Sequence, residues 1–125
     1  MAKKTIKIKR AYEPPEKSDG YRVLIDRLWP RGVSKARLRL DEWCKDLAPS
    51  AELRKFFGHD PDKWREFQSR YRKELREADS KKKLADLRAL ARRSTLTLVY
   101  SARDEDHNDA VVLKQLLERD LKSAG

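Results

Sequence analysis

Hydrophobic and polar positions along the chain predict a set of short strands in its first half. In Thr5–Ala11, isoleucines alternate with lysines, a period of two that is typical of an edge strand with one side in water. Tyr21–Leu28 is nearly continuous in apolar residues at its start, which predicts an interior strand buried on both faces. The link Tyr12–Gly20 contains two prolines and a glycine, so we expect a loop. A further short strand is predicted over Glu42–Leu47, with Trp43 pointing inward.

The second half of the chain has the three- and four-residue spacing of amphipathic helices. A short helix is predicted from Pro49 or Ser50 to Phe57, where Gly58 can adopt the left-handed conformation that ends a helix. The pair Asp60-Pro61 opens a longer helix, and Ser80 is the predicted N-cap of a third. Each of the two longer helices has one apolar stripe: Trp64, Phe67, Tyr71, Leu75 and Ala78, then Leu84, Leu87, Leu90 and Ala91.

The segment Thr95–Leu117 predicts a strand, a polar loop and a last helix in direct succession. Thr95–Tyr100 is apolar and β-branched, Ser101–Asn108 is polar, and an apolar stripe then follows at Ala110, Leu113, Leu116, Leu117 and Leu121. The three helices before this strand provide a crossover, so we expect Thr95–Tyr100 to lie parallel to and beside Tyr21–Asp26. The predicted fold is one α/β domain over residues 1–125, with a small, mainly parallel sheet of three to four strands flanked by helices, Rossmann-like in outline.

Length and composition limit the class of protein. A chain of 125 residues is enough for one hydrophobic core, and its single cysteine, Cys44, excludes an internal disulfide framework. The amino-terminal sequence MAKKTIKIKR is basic but precedes no apolar segment long enough for a signal peptide or a membrane span. We therefore expect a cytoplasmic protein that does not contact a membrane.

The formal net charge of +10 points to anionic partners. Most charges alternate in sign along the helical segments, however, which is the usual pattern of a solvated, salt-bridged helix surface. The charge alone therefore favours a solvated surface over a dedicated nucleic-acid face.

Three stretches of the sequence carry a family resemblance: RVLIDRLWPRGVSK, EWCKDLAPSAELRKFFGHDPDKWREFQSRYRKEL and LTLVYSARDEDHNDAVVLKQLL. They resemble the YeaO-type family of bacterial proteins, a domain of unknown function, from about Lys7 to Leu117. The resemblance implies a compact cytoplasmic α/β domain and assigns no chemistry. Related sequences often have a histidine where this chain has Asp109, so the resemblance implies no histidine-dependent mechanism there.

Four polar residues match the family pattern and fall on predicted loops: Arg27, Arg31, Asp104 and Asn108. The two arginines are predicted either to bind an anion or to pair with Asp26, Asp104 or Glu74 and pin their loop. Asp104 is the candidate catalytic residue, as a general base, with a clamp on Arg27 as the alternative. Asn108 is a candidate ligand contact or simply the N-cap of the last helix. We expect these four residues to converge on one concave patch, where the carboxyl ends of neighbouring parallel strands meet.

Several standard devices are absent from the sequence. Neither glycine-rich nucleotide-binding motif occurs, and the Asp104-x-Asp106-x-Asn108 pattern lacks the later residues of a calcium loop. Cys44 is predicted to be an inert core residue, and His59 and His107 to be surface residues. No metal site is predicted, and the pattern identifies no cofactor.

Two classes of function follow. The first class is an enzyme or a non-catalytic binding protein. Its ligand is a small anion that bears a phosphate or a carboxylate, such as a nucleotide. The protein uses Arg27, Arg31, Ser101 and Arg103, together with Asn108, at the carboxyl-terminal edge of the sheet. The second is a basic module that binds nucleic acid non-specifically by its backbone, with Lys35, Arg37 and Arg39 extending the surface from Arg31. A concave cavity with few arginines favours the first class, and a continuous basic stripe favours the second.

Overall fold

Four parallel strands form one sheet at the centre of the protein. The structure is a computed structural model that describes residues 6–124, with the side chains of residues 6–119. The sheet order is β1-β4-β2-β3, and the strands are β1 (Ile6–Arg10), β2 (Tyr21–Leu24), β3 (Glu42–Trp43) and β4 (Leu96–Tyr100). Helices flank this sheet, so the predicted α/β class with a parallel sheet is confirmed.

The last strand lies between the first two. β4 pairs in parallel with β2, and Val99 lies opposite Leu24, which confirms the predicted adjacency of Thr95–Tyr100 and Tyr21–Asp26. β1 pairs in parallel with the other side of β4 and forms an edge of the sheet, as expected. Because the strands are parallel, the loops that follow β2 and β4 leave the sheet at the same edge.

Two strands are shorter than predicted. Thr5 lies outside the described residues, and β2 ends at Leu24 rather than Leu28. β3 has two residues, because the chain then enters a 3₁₀ turn that ends at Leu47 instead of staying extended. That turn places Leu47 in the core, fully buried.

Within residues 6–124, five α-helices flank the sheet: α1 (Lys35–Leu38), α2 (Ala51–Phe57), α3 (Trp64–Glu74), α4 (Ala78–Arg93) and α5 (Asp109–Ala124). The sequence pattern did not predict α1, which is a single turn. α2 begins after its N-cap Ser50, and Gly58 ends it in the left-handed conformation with φ 50°, as predicted. No helix in the described part of the chain is both long and apolar enough to cross a membrane.

The boundary between α3 and α4 corrects the predicted stripe. α3 ends at Glu74, so Ala78 belongs to the start of α4 and not to the preceding helix. Ser80 lies inside α4 and is not its N-cap, because its hydroxyl donates to the backbone oxygen of Asp46, 2.9 Å away. Glu74 accepts hydrogen bonds from the backbone and hydroxyl of Ser50 at 2.8 and 2.5 Å, which ties α3 to the start of α2.

The sheet has a hydrophobic core on each face, and one core is larger than the other. The main core lies between one face and α2, α3, α4 and α5, and includes Phe67, Tyr71 and Leu113. A smaller cluster lies on the opposite face, under α1 and the loops: Ala11, Leu24, Val33, Leu38 and Val99, with Trp29, Leu40 and Trp43 packed against them. The side chain of Leu121 lies outside the described residues.

A buried ionic cluster occupies the opposite face beside this smaller core. Asp19 is fully buried and accepts hydrogen bonds from Lys7 (2.9 Å), Lys9 (3.2 Å) and Arg22 (2.6 Å). The expectation that the lysine side of β1 faces water is wrong for Lys9, which is 7% exposed because the 3₁₀ turn before Gly20 covers it. Burial alone would raise the pKa of Asp19, but these bonds and one from the backbone N–H of Glu16 hold that pKa well below its ordinary value.

Candidate functional site

The loops that follow β2 and β4 are joined directly at the carboxyl edge of the sheet. The backbone N–H and the hydroxyl of Ser101 both donate to Oδ2 of Asp26, at 2.9 and 2.6 Å. Arg10, at the end of β1, donates to the backbone oxygens of Ala102 (2.9 Å) and Ser101 (3.4 Å). Three neighbouring strand ends therefore fix the start of the polar loop.

A cavity of about 590 Å³ opens at this edge. Its wall combines two arginines, two histidines, three aspartates, two phenylalanines and neighbouring small residues: Asp26, Pro49, Arg54, Phe57, His59, Phe67, Ser101, Ala102, Arg103, Asp104, His107, Asn108 and Asp109. The volume lies within the range of about 300–1,000 Å³ that is usual for small-molecule sites. Of the predicted site residues, the structure brings Ser101, Arg103, Asp104 and Asn108 together here.

Asp104 organises the loop before α5. Its Oδ1 accepts hydrogen bonds from the backbone N–H groups of Asp106 (2.9 Å) and His107 (3.0 Å), and Nδ1 of His107 lies 2.9 Å from its Oδ2. The hydrogen bond from the side chain of His107, followed by that from the Asp106 backbone, lowers the pKa of Asp104. Its partner is thus His107, so the alternative prediction of a clamp on Arg27 is wrong.

Asn108 has the geometry of a helix N-cap. Its Oδ1 accepts from the backbone N–H of Val111 at 3.1 Å, and its Nδ2 donates to the backbone oxygen of Asp104 at 2.9 Å. The side chain is 3% exposed, so both of its polar atoms are satisfied within the protein. This arrangement matches the structural alternative for Asn108.

Arg27 and Arg31 do not line the cavity. The indole N–H of Trp29 donates to the backbone oxygen of Val33 (2.6 Å), and the Trp29 ring packs edge-on against that of Trp43, with centroids 5.4 Å apart. These contacts turn the RLWPRG loop toward the smaller core on the opposite face, and both arginines are exposed. The predicted convergence of the two arginines with Asp104 and Asn108 therefore does not occur at this cavity.

Arg54 lines the cavity together with Arg103, whereas the sequence predicted Arg27 and Arg31 in this role. Arg54 lies on α2 and Arg103 in the loop after β4, and both are exposed. Neither side chain forms a hydrogen bond or ion pair with another residue among those the structure describes. Sequence reasoning missed Arg54 because helix α2 carries no motif, and its position depends on how α2 packs against α3.

The histidines of the cavity wall differ in their surroundings. His59, at the end of the α2 turn, is exposed and in the left-handed conformation. His107 is partly buried, and its ring meets that of Trp64 edge-on, with centroids 5.2 Å apart. Within residues 6–119, no group of three or more histidine, cysteine, aspartate and glutamate side chains is arranged as metal ligands. Cys44, in the core, is 3% exposed, and burial raises the pKa of its thiol to about 11.

Asp26 and Asp109 are two carboxyl groups of the cavity wall. Burial, followed by the negative charge of Asp26 and their hydrogen bond, raises the pKa of Asp109 well above its ordinary value. Oδ1 of Asp109 also accepts from the backbone N–H of Ala110 at 3.0 Å. The sequence contains one signal for these two residues. Asp26 follows an apolar strand, as Ser101 does, and Asp109 directly follows Asn108 at the start of the last helix.

We expect Asp109→Asn to stabilise the protein at neutral pH, because the amide cannot ionise and so avoids the cost that the raised pKa of Asp109 implies. An amide supplies a hydrogen for Asp26 without a second negative charge. Because folding raises the pKa of Asp109, this group does not reduce the free energy of unfolding at a pH below the ordinary value of 3.8. The reduction grows as the pH rises from 3.8 toward the folded-state pKa. Urea denaturation at several pH values measures this difference. Asp106→Asn, in the exposed part of the same loop, is the control and should show no such trend.

Comparison with known proteins places the chain in a family. A profile of the family DUF488-N3i, described as the inactive DUF488-N3 subclade, matches residues 5–125. The uncharacterized protein YeaO of Escherichia coli is 47% identical over 113 residues, which cover 90% of this chain and 96% of the relative. Uncharacterized proteins Mb3100c of Mycobacterium bovis and Rv3073c of Mycobacterium tuberculosis are each 45% identical over 112 residues, 90% of this chain and 92% of the relative. No solved structure matches the chain significantly. The resemblance to YeaO-type proteins is thus confirmed, and the chain belongs to the DUF488-N3i family.

Proposed function

We propose that the cavity at the carboxyl edge of the sheet binds a small anionic ligand that bears a phosphate or a carboxylate. The observation that carries the proposal is the pair of arginines, Arg54 and Arg103, which line one cavity without partners among the described residues. A planar guanidinium offers several N–H donors and binds phosphate or carboxylate oxygens in a bidentate manner. Two such groups on one concave wall suit a single anionic group.

Hydrogen bonds within the protein hold the loop that carries Arg103. Arg10 holds the backbone oxygen of Ala102, Ser101 is bound twice to Asp26, and Asp104 binds His107. These bonds lie on either side of Arg103 in the chain, so its backbone is already positioned. Preorganisation of this kind reduces the entropy that binding costs.

The proposed activity is binding without catalysis. Both oxygens of Asp104 accept hydrogen bonds or lie in contact with His107, and its lowered pKa makes the carboxylate a weaker base. The description of the family as an inactive subclade supports the same choice. Asp104 then acts by shaping the loop that presents Arg103.

The nucleic-acid alternative rests on the exposed basic residues of the opposite side. Lys35, Arg37 and Arg39 are exposed in or beside α1, and Arg31 is exposed nearby in the sequence. Contacts from these side chains to backbone phosphates would make duplex binding independent of sequence and steeply dependent on salt. The concave cavity with two arginines favours the small anion.

We expect Arg54→Ala and Arg103→Ala each to weaken anion binding by about tenfold to a hundredfold, because one charge-assisted hydrogen bond contributes about 1.5–3 kcal/mol. Isothermal titration calorimetry with inorganic phosphate, alkyl phosphates and 5′-nucleotides measures the change. Arg27→Ala and Arg31→Ala are matched controls, since each removes one exposed arginine outside the cavity.

Equal losses in the cavity and control variants would contradict the proposal, because they would show that only the net charge matters. Gel-shift titrations of a duplex at two salt concentrations test the alternative. Tight duplex binding that survives physiological salt, together with no phosphate binding at the cavity, would favour the nucleic-acid module instead.

A further inference from the structure

The imidazole ring of His107 has one nitrogen bound within the protein and one that is not. His107 lines the cavity, and its Nδ1 lies 2.9 Å from Oδ2 of Asp104. The other ring nitrogen, Nε2, forms no hydrogen bond with any residue that the structure describes, and it is not buried. Arg54 and Arg103 account for an anionic group on the ligand but give this nitrogen no role.

The hydrogen bonds of Asp104 fix which nitrogen of His107 carries a hydrogen. Oδ1 of Asp104 accepts from the backbone N–H groups of Asp106 and His107, at 2.9 and 3.0 Å. The carboxylate is ionised at neutral pH and only accepts, so Nδ1 of His107 is the donor to Oδ2. In a neutral imidazole one nitrogen alone bears a hydrogen, and Nε2 therefore carries a lone pair that accepts.

The ring of His107 is held from two sides. Asp104 binds both its backbone N–H and its Nδ1, and the ring of Trp64 meets it edge-on, with centroids 5.2 Å apart and an angle of 84° between the planes. These contacts restrict rotation of the ring. A hydrogen bond from a ligand to Nε2 therefore costs less side-chain entropy than one to a mobile side chain.

A lone pair on Nε2 selects a ligand group that donates a hydrogen bond. A neutral imidazole has no charge that would compensate an ammonium, so an uncharged donor such as a hydroxyl group fits it best. Two other acceptors of the wall already bind within the protein: Asp104 to its loop and His107, and Oδ2 of Asp26 to both donors of Ser101. The hydroxyl group is thus directed to His107.

We propose that Nε2 of His107 accepts a hydrogen bond from a hydroxyl group of the ligand, whose phosphate or carboxylate lies on Arg54 and Arg103. This inference rests on the proposed anion site and names the class of its ligand, a hydroxylated phosphate such as a sugar phosphate, or a hydroxy acid. The cavity of about 590 Å³ has room for both groups of such a molecule.

The test compares three series of probes, with chains of two to six carbons, that differ in one group. Alkyl phosphates end in a methyl group, methoxyalkyl phosphates end in an ether oxygen that only accepts, and hydroxyalkyl phosphates end in a hydroxyl group that also donates. Calorimetric titrations are run at about pH 8, where imidazole groups are ordinarily neutral. We expect the best hydroxyalkyl phosphate to bind about threefold to tenfold more tightly than its methoxy and alkyl partners, the size of one neutral hydrogen bond.

His107→Asn should reduce the ratio of the methoxy and hydroxyl dissociation constants to about one while phosphate binding persists. The asparagine amide can still donate to Asp104, but it has no acceptor at the position of Nε2. His107→Phe keeps a ring beside Trp64, has no nitrogen, and carries the same expectation. Asp106→Asn, in the same loop but outside the cavity wall, is the matched control and should keep the wild-type ratio. A thermal melt of each variant confirms that it is folded.

The outcomes separate the two proposals. Equal binding of the methoxy and hydroxyl probes in the wild-type protein, or an unchanged ratio in both His107 variants, overturns the hydroxyl contact and leaves the anion site in place. Failure of every phosphate to bind in a manner that depends on Arg54 and Arg103 overturns the anion site and the hydroxyl contact together. A lost ratio in the two His107 variants, with retained phosphate binding, supports both.

Discussion

Replacing Asp19 by asparagine is expected to lower the free energy of unfolding by about 3–5 kcal/mol, the usual cost of removing one partner from a buried ion pair. Asp19 is fully buried, and two of its partners, Lys9 and Arg22, are only 7% and 3% exposed. An asparagine in the same place removes the charge that compensates the buried Arg22 and leaves Lys9 only its pair with the exposed Glu16 carboxylate. The loss is a large part of the about 5–15 kcal/mol that holds a typical domain folded.

Urea denaturation of the wild-type protein and the variant measures this loss. Glu16→Gln is the matched control: the Glu16 carboxylate also accepts from Lys9, at 2.8 Å, but its side chain is 64% exposed. An exposed ion pair contributes about 1 kcal/mol or less. A loss of similar size in both variants would show that burial does not strengthen the cluster.

The same cluster gives the protein a defined response to acid. Because the pKa of Asp19 is lowered on folding, the stability it confers is complete above the ordinary carboxyl value of 3.8 and is lost as the pH falls below it. The Asp19→Asn variant lacks this contribution, so its unfolding free energy should fall less steeply below that pH. A parallel decline in the two proteins would contradict the assignment.

The sheet was predictable because its signal is local. Apolar density in Tyr21–Leu24 and Leu96–Tyr100 indicates interior strands, and the helices between them imply a parallel crossover. The ionic cluster was not predictable in this way. The sequence around Asp19 is that of a polar turn, and the contacts of that turn are distant in sequence: the hydroxyl of Thr97 donates to the backbone oxygen of Asp19 at 2.6 Å across 78 residues.

The candidate site was also predictable only in part. Ser101, Arg103, Asp104 and Asn108 belong to one loop, so a correct strand order was sufficient to place them together. Arg54 depends on the packing of helices, which the residue pattern does not specify. Arg27 was misplaced because the direction of its loop is decided by the contact of Trp29 with Trp43, a pair of aromatic rings from two different segments.

Gly20→Ala is expected to lower the free energy of unfolding by about 3 kcal/mol or more, through backbone strain and overpacking of about 1–3 kcal/mol each. Gly20 has φ +64°, and a Cβ added there would lie 2.2 Å from the backbone oxygen of Thr95. That oxygen accepts the hydrogen bond of the Tyr21 N–H at 2.9 Å, the first link between β2 and β4. Relief of the clash must therefore displace the start of the strand pair.

Gly32→Ala isolates the strain from the clash. Gly32 also has a positive φ, +79°, but a Cβ added there meets no atom within 4 Å. This variant should lose about 1–2 kcal/mol, the cost of the left-handed conformation alone. Chemical denaturation of both variants gives the comparison, and an equal loss at the two positions would show that Thr95 yields without cost.

Since Gly20 directly follows Asp19, displacement at Gly20 should also disturb the ionic cluster. The double variant Asp19→Asn/Gly20→Ala should therefore lose less free energy of unfolding than the sum of the single losses.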